Sequence, residues 1–389
     1  MKKLEARDML KVLTVFGTRP EAIKLAPVLL EFRRHPEIDS RICVTAQHRE
    51  MLDPLLKLFD IHPDYDLDIM QPNQTLFDII IRALDGLKRV LEAEQPDFLL
   101  VQGDTTSAFA AALAAFYLKI PIGHVEAGLR TFDKYHPYPE EINRRLISRL
   151  ADLHFTPTLS FTPTLRAQAN LLAEGIPPNK IFVTGNTVVD AILLILERTK
   201  DLNLLPPGLS KLSSNRKLIL VTAHRRESFG QGLENICLAL RHIVAEAPDV
   251  EIVYPVHMNP NVRTVVTKVL KGVERVHLLE PMDYVAFVHL MARSYLILTD
   301  SGGIQEEAPT LKKPVLVLRE TTERPEVLEV GAAKLVGTDP EKIVTETLRL
   351  IRDPWEYKKM AHAGNPFGDG WAAQRIVQIL IAHSCGSSL

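Results

Sequence analysis

The chain has 389 residues, which exceeds one ordinary hydrophobic core and indicates two domains. Lys and Arg total 46 against 48 Asp and Glu, so the formal net charge of -2 creates no overall field for nucleic acid or anionic lipid. The three cysteines match no metal or redox spacing, and no apolar run reaches the roughly 20 residues of a membrane span. We therefore expect a cytoplasmic protein that binds no nucleic acid, membrane or metal.

Short apolar runs alternate with amphipathic stretches of helical length along the whole chain. The first half contains KVLTVF, RICVT, DFLLVQGD, IPIGHVEAG, ADLHFTPT and KIFVTGN. The pattern restarts after residue 216 with LILVTAH, VEIVYPVH, RVHLLEP, YLILTDSGG and PVLVLRE. Nearly continuous apolar strands separated by helices predict parallel sheets that are covered on both faces.

The fold class that this pattern predicts is α/β, with two Rossmann-like domains of parallel sheet. Residues 1–199 form the first domain and residues 217–365 the second, and the Pro, Gly and Ser content of residues 200–216 predicts a linker. Ligands of such sheets bind beyond the carboxyl ends of the strands. We therefore expect the active site in the interdomain cleft.

Charged side chains follow several strands of the first domain. Gly17 and Arg19 follow the first strand, where Gly17 permits a tight turn and the whole motif is equally consistent with ordinary turn chemistry. Asp104 follows a later strand and opens a helix, so a capping role is its simplest interpretation. Glu126 ends an apolar strand, where an unpaired carboxylate is costly unless it faces a polar cleft. With Glu140, which begins the next helix, these carboxylates would form an acid/base cluster at one sheet edge.

Two motifs of the second domain suit a nucleotide. His224 follows its first strand in HRRES, and the adjacent arginines suit phosphate oxygens, although a solvated charged run remains an alternative. In TDSGGIQEE, the turn Ser301–Gly303 offers backbone N–H groups to an anion, and Glu307 is placed to accept hydrogen bonds from a ribose. Neither a Walker sequence nor Gly-x-Gly-x-x-Gly is present, so ATP hydrolysis and a tightly held dinucleotide lack their usual motifs.

Nine motifs in order resemble the bacterial non-hydrolysing UDP-N-acetylglucosamine 2-epimerases. They are GTRPEAIK, QGDTTS, HVEAGLRT, PYPEEINRR, GNTVVDA, HRRESFG, YPVHMNP, DSGGIQEEAP and TERPE. The resemblance implies the architecture of the B-type glycosyltransferases, in which residues 366–389 form a helix that crosses back to the N-terminal domain. It also implies a homodimer, and conversion of UDP-N-acetylglucosamine to UDP-N-acetylmannosamine without cofactor, by elimination and re-addition of UDP.

The resemblance also assigns residues. The implied catalytic residues are Asp104, Glu126, Glu140 and His224, without a decision on which carboxylate is base and which is acid. The implied substrate-binding residues are Arg19, Lys24, Ser301, Gly302, Gly303, Glu307 and Arg324. Members of the family also bind a second UDP-N-acetylglucosamine as activator, and the matching positions are Gln47, Glu50, Arg82 and His257.

Three alternatives share parts of this pattern. A B-type glycosyltransferase would need an acceptor groove, and the surplus of carboxylates in the first domain argues against it. A hydrolysing epimerase would release UDP and free N-acetylmannosamine. A catalytically silent nucleotide-sugar sensor is disfavoured because all three carboxylates are present.

Overall fold

A computed structural model describes residues 9–47, 49–157, 166–202, 209 and 215–384, apart from the side chains of residues 50 and 51. The chain divides into two compact units, Met1–Ala191 with Phe367–Leu389, and Ile192–Pro366. This division passes through the helix Thr187–Arg198, and most of the predicted linker 200–216 lies outside the described residues. No helix within the described ranges is long and apolar enough to cross a membrane.

The first unit is an α/β unit with a parallel sheet. Its strands are β1 (Leu10–Phe16), β2 (Ile38–Val44), β3 (Tyr65–Asp66), β4 (Phe98–Gln102), β5 (Ile122–Val125), β6 (Leu153–Thr156) and β7 (Ile181–Val183). The helices are α1 (Arg19–Phe32), α2 (Arg49–Phe59), α3 (Leu76–Glu94), α4 (Thr106–Tyr117), α5 (Glu140–Leu150), α6 (Arg166–Ala173) and α7 (Thr187–Arg198), which continues into the second unit.

The described strands of this sheet run in the order β3-β2-β1-β4-β5-β6-β7. The central strands are apolar on both faces, and Leu13 and Leu99 are fully buried between the two helical layers. Gln102 of β4 lies opposite Val125 of β5 in the register. Consequently Asp104 and Glu126 leave the sheet at neighbouring points of the same edge.

The second unit repeats the plan. Its strands are β8 (Lys217–Thr222), β9 (Val250–Pro255), β10 (Val276–Leu279), β11 (Leu296–Thr299), β12 (Val315–Val317) and β13 (Ala333–Leu335), in the order β10-β9-β8-β11-β12-β13. The helices are α8 (Gln231–Glu246), α9 (Pro260–Leu270), α10 (Tyr284–Arg293), α11 (Gly302–Glu307), α12 (Pro325–Glu329), α13 (Pro340–Arg352) and α14 (Pro354–Ala361). Thr222 pairs with Thr299, so the segments after β8 and β11 also begin side by side.

The last helix, α15 (Ala372–Ser384), belongs to the first unit and packs against α1. Its buried face includes Ile376, Val377 and Leu380. Asp190 of α7 accepts a hydrogen bond from the backbone N–H of Ala373 at 2.9 Å, at the start of α15. The predicted fold class, two parallel-sheet α/β domains, is confirmed.

Candidate active site

Glu126 is held in a tight polar environment directly after β5. Its backbone has a φ of 65°, in the left-handed region, and only 8% of the residue is exposed. The carboxylate accepts hydrogen bonds from Lys24 Nζ at 2.5 Å, Asn186 Nδ2 at 3.3 Å and the side-chain amide of Gln102. A buried carboxylate is tolerated when it is paired and hydrogen-bonded in this way. Lys24, expected to bind substrate, thus contacts a predicted catalytic carboxylate.

Asp104 combines an ion pair with partial access to solvent. Its Oδ2 lies 2.7 Å from Arg144 Nη2, and a quarter of its side chain is exposed. Burial raises the pKa of Asp104 to about 6, with repulsion from Glu126 and Glu140 acting in the same direction and Arg144 and Lys24 acting against it. A carboxyl group with a pKa near neutrality is suited to both accepting and returning a proton.

The structure distinguishes the two glutamates that open α5. Glu140 is partly exposed, and its charge raises the pKa of Asp104, which places it with the other two carboxylates. Glu141 has a fully buried side chain that accepts hydrogen bonds from the backbone N–H groups of Thr131 (3.0 Å) and Phe132 (3.3 Å). Glu140 is therefore available for chemistry, whereas Glu141 anchors the preceding loop.

Glu21 is a buried carboxylate that the sequence analysis did not identify. Its Oε2 accepts hydrogen bonds from Gly17 N at 3.0 Å and from Thr18 N and Thr18 Oγ1 at 2.8 Å, and Oε1 accepts one from Thr105 Oγ1 at 2.7 Å. It therefore joins the loop before α1 to the residue that follows Asp104. The Thr-x-x-Glu spacing from Thr18, typical of a capping box, could have revealed it.

The first strand ends in a close contact rather than a turn that requires glycine. A β-carbon at Gly17 would lie 1.9 Å from Thr45 Oγ1 and 3.0 Å from Ser107 Oγ, and no left-handed φ occurs there. Gly17 is therefore required by the close approach of Thr45, directly after β2, and of Ser107 on α4, rather than by a left-handed backbone between β1 and α1. Arg19 begins α1, and its guanidinium has no hydrogen bond or ion pair with any residue that the structure describes.

In the second unit, the turn after β11 presents backbone and hydroxyl groups. The N–H of Ser301 donates to Thr299 Oγ1 at 2.9 Å, while the Ser301 hydroxyl bonds to no residue among those described. A β-carbon at Gly302 would lie 3.5 Å from Glu323 Oε2 and 3.8 Å from Arg225 Nη2. Gly303 is exposed. The turn is thus bordered by Arg225, whose guanidinium suits an anion, and by the nearer carboxylate of Glu323, which is paired with Arg319.

His224 lies beside this turn. Its ring stacks on that of His257, with centroids 5.3 Å apart and planes inclined by 13°. Burial lowers the pKa of His224, and the positive charge of Arg225 and the neighbouring His257 lower it further, whereas Asp300 opposes the shift. The structure therefore brings His224, predicted to be catalytic, together with His257, predicted to bind an activator.

The two glutamates at the end of α11 also differ. Glu307 is partly buried, and its Oε1 accepts a hydrogen bond from Tyr284 Oη at 3.2 Å. Glu306 is buried and forms an ion pair with Arg324. Arg324, expected to bind substrate, is thus engaged with Glu306, while Glu307 remains the partly accessible carboxylate.

The other predicted activator residues belong to the segment after β2, to α2 and to α3. Gln47 is buried and accepts a hydrogen bond from Ser107 Oγ at 2.8 Å. Arg82 donates to the carbonyl of Ile69 at 3.2 Å and borders a cavity of about 490 Å³ between α3 and the segment 65–69. The side chain of Glu50 lies outside the described residues.

Comparisons with known proteins agree on one family. A family model described as UDP-N-acetylglucosamine 2-epimerase matches residues 30–381. The chain is 55% identical to UDP-N-acetylglucosamine 2-epimerase of Yersinia pestis over 378 residues, which cover 96% of this chain and 99% of that protein.

Solved structures extend the comparison to the fold. A crystal structure of a putative UDP-N-acetylglucosamine 2-epimerase from Listeria monocytogenes is similar with a TM-score of 0.90, 48% identity and 97% of each chain covered. The UDP-GlcNAc 2-epimerase of Neisseria meningitidis, crystallised with bound UDP-GlcNAc, gives a TM-score of 0.85 and 52% identity, with 95% of this chain and 99% of that chain covered.

Proposed function

The chain belongs to the UDP-N-acetylglucosamine 2-epimerase family, and on that premise we propose that it interconverts UDP-N-acetylglucosamine and UDP-N-acetylmannosamine without hydrolysis. The observation that carries the proposal is the group of three carboxylates, Asp104, Glu126 and Glu140, in which Asp104 has a pKa of about 6. Inversion at C2 requires removal of a proton from one face of the sugar and its return to the other.

The chemistry of the substrate favours elimination. The hydrogen on C2 is not acidic, because the neighbouring anomeric carbon is an acetal rather than a carbonyl. A carboxylate takes the C2 proton while the C1–O bond to UDP breaks, and the electron pair of the C–H bond forms the C1=C2 bond of 2-acetamidoglucal. Return of a proton to the opposite face of C2 and re-addition of the UDP oxygen to C1 give the epimer, with no water consumed.

Two faces of the sugar require two proton positions. Asp104 is half protonated at about pH 6, and Glu126 is paired with Lys24, so the group contains both a readily titrated carboxyl and a charge-compensated one. The positive charges of Arg144 and Lys24 reduce the repulsion between the carboxylates of Asp104 and Glu126. More than one of these carboxylates should therefore be essential.

The second unit is proposed to bind UDP. Negative charge develops on the diphosphate as it departs, so donors held in place stabilise the transition state. Ser301, Gly302 and Gly303, with His224 beside them, would face the phosphates, and Arg19 of the first unit would supply a further guanidinium. Glu307 would accept the ribose hydroxyls.

Product analysis separates the proposal from its rivals. Purified protein incubated with UDP-N-acetylglucosamine should give a mixture with UDP-N-acetylmannosamine, which ion-exchange chromatography and NMR identify. Free N-acetylmannosamine with equimolar UDP would indicate the hydrolysing reaction. Transfer of the sugar to an added acceptor, without epimerisation, would support a glycosyltransferase.

We further propose a homodimer. Helix α3 exposes two large apolar side chains that lie one turn apart, Phe77 and Ile81, by more than half. Exposed apolar groups of this kind mark interaction surfaces. The double variant Phe77→Asp/Ile81→Asp should sediment as a monomer where the unaltered protein sediments as a dimer; equal sedimentation would place the interface elsewhere.

Activation by substrate and a place in polysaccharide synthesis complete the proposal. The resemblance assigns a second UDP-N-acetylglucosamine to Gln47, Glu50, Arg82 and His257, so trace amounts of this nucleotide sugar should accelerate conversion of UDP-N-acetylmannosamine. Arg82→Ala should reduce the acceleration. The product would then supply reactions that build cell-surface polysaccharide.

A further inference from the structure

Asp300 clamps the segment that follows β8. Its side chain is fully buried, and its Oδ2 accepts hydrogen bonds from the backbone N–H groups of His224 at 2.6 Å and Arg225 at 2.7 Å. Tyr254 strengthens the same segment, because its hydroxyl donates to the carbonyl of Ala223 at 2.7 Å. The position of the His224 backbone is therefore fixed from two sides.

The second oxygen of Asp300 is not used by this clamp. Oδ1 is buried and has no hydrogen bond with any residue that the structure describes, yet it lies 3.4 Å from Nδ1 of the His224 ring. A buried carboxylate oxygen without a hydrogen-bond partner is unfavourable, because it has lost its contacts with water. A modest rotation of the imidazole would remove that cost, because an Nδ1–H would then donate to Oδ1.

We propose that Asp300 is a positioning residue that holds a proton on Nδ1 of His224 and directs Nε2 to the bound diphosphate. An Nε2–H can donate to a phosphate oxygen while Nδ1–H donates to Asp300 only if the ring is an imidazolium, and the Asp300 charge stabilises that form. The proposal rests on the proposed function only in naming diphosphate as the ligand.

The charged and titratable groups around the His224 ring determine whether its pKa rises or falls. His257 stacks on it, and Arg225 adds positive charge from the same loop, so both disfavour the imidazolium. Asp300 is the acidic group that opposes them. Without its charge the imidazolium should form only at lower pH, and affinity for UDP should fall at a correspondingly lower pH.

Asp300→Asn isolates the role of the charge. The Asn carbonyl can still accept both backbone N–H groups, while its NH₂ faces Nδ1 and turns that atom into an acceptor. Nitrogen-15 NMR of the full chain, with His224 assigned by its loss in His224→Asn, should show the neutral ring protonated on Nδ1 in the unaltered protein. In Asp300→Asn the proton should move to Nε2, and the pKa of His224 should fall by about one unit.

The control is Asp353→Asn, because Asp353 likewise accepts two backbone N–H groups, from Trp355 and Glu356, at the start of α14. It should leave the tautomer and pKa of His224 unchanged. An unchanged His224 in Asp300→Asn would overturn the proposal and leave Asp300 as a backbone clamp.

The unaltered protein supplies a test that needs no folded Asp300 variant, because a neutral His224 ring protonated on Nε2 would also overturn the proposal. These NMR readouts do not depend on epimerase activity. Calorimetry then tests the ligand: UDP affinity should weaken about tenfold at pH 7.5 in Asp300→Asn and recover only as the pH falls below the lowered pKa of His224 in the variant. A pH-independent loss would overturn the link between Asp300 and diphosphate binding.

Discussion

At the level of single residues, the proposed chemistry depends on three carboxylates with different environments. Conservative changes Asp104→Asn, Glu126→Gln and Glu140→Gln should each reduce turnover by about 10²-fold or more, the usual scale for acid/base groups. Each should leave UDP affinity within a few-fold, because the nucleotide is assigned to the second unit. Steady-state kinetics and calorimetry measure both quantities.

The exposed carboxylate variant Glu37→Gln is the control for this series and should retain full turnover. If one of the three variants keeps near-normal turnover, the residue changed in it only caps a helix or lines the site. Near-normal turnover in all three would contradict the epimerase proposal and favour a glycosyltransferase.

The raised pKa of Asp104 also predicts a dependence of stability on pH. Its folded-state pKa of about 6 exceeds the ordinary 3.8, so the folded protein binds this proton more tightly than the unfolded chain. That stabilisation is complete below about pH 4 and is lost as the pH rises through 6. Asp104→Asn has no such titration, so its free energy of unfolding relative to the unaltered protein should rise between pH 4 and pH 8.

At about 1.4 kcal/mol for each pKa unit, the rise in the relative free energy of unfolding should be at most about 3 kcal/mol. It should be smaller than this limit, because a quarter of the Asp104 side chain is exposed to solvent. Urea unfolding at successive pH values measures it. A difference that stays constant with pH would show that burial does not raise the pKa of Asp104.

Glu307 provides a test of nucleotide recognition. Glu307→Ala should weaken UDP binding at least tenfold, the scale of a lost hydrogen bond to a charged group, because the ribose hydroxyls would lose their acceptor. Glu341→Ala is the matched control, since Glu341 is an exposed first-turn glutamate of α13. Calorimetry with UDP decides the matter, and an affinity that matches the control would leave Glu307 with a structural role.

Residue types and spacing predicted part of the site. Asp104, Glu126 and Glu140 could be found because polar groups at the ends of apolar strands stand out against the pattern. The difference between Glu140 and Glu141 could not, because it depends on the loop Thr131–Phe132 folding back onto α5. Lys24 and Arg324 were assigned to substrate, but their ion pairs with Glu126 and Glu306 form between segments distant in sequence.

At the scale of elements, the apolar runs predicted the central strands of both sheets. They also predicted the edge strands β7 and β10, but they missed the other two edge strands, β3 and β13. Each missed strand contains a charged residue, Asp66 or Lys334, in place of a continuous apolar run, which an edge position tolerates. Apolar runs therefore identify an edge strand only where its own sequence is apolar.

Helix α15 gives an element-scale prediction. Leu380 is fully buried on the face that packs within the first unit, so Leu380→Ala should lower the free energy of unfolding of that unit by about 2–5 kcal/mol. Gln378 on the same helix is exposed, and Gln378→Ala should change it by less than about 0.5 kcal/mol. Hydrogen exchange of α1 amides reports the loss locally; equal protection in both variants would show that α15 contributes little to the first unit.

At the level of the whole molecule, the net charge of -2 excludes mainly partners that bind through overall charge, such as nucleic acid or anionic lipid. Catalysis is assigned to the first half of the chain because carboxylates follow its strands. Nucleotide binding is assigned to the second half because the motifs suited to phosphate follow the strands there. The Asp300 clamp was not predicted, because it depends on a buried carboxylate that meets backbone N–H groups of another loop. The Glu21 contacts were missed although the capping-box spacing from Thr18 indicates them. The candidate site therefore depends on contacts between segments that the alternation of apolar and polar residues does not reveal.

Elimination and re-addition are tested most directly by proton NMR of UDP-N-acetylglucosamine incubated with the purified protein in D₂O, without added NAD or metal. Elimination and re-addition predict that UDP-N-acetylmannosamine appears with deuterium at C2 and that the C2 proton signal of the substrate disappears as equilibrium is approached. Epimerisation with full retention of the C2 proton, or a complete requirement for NAD, would contradict the account.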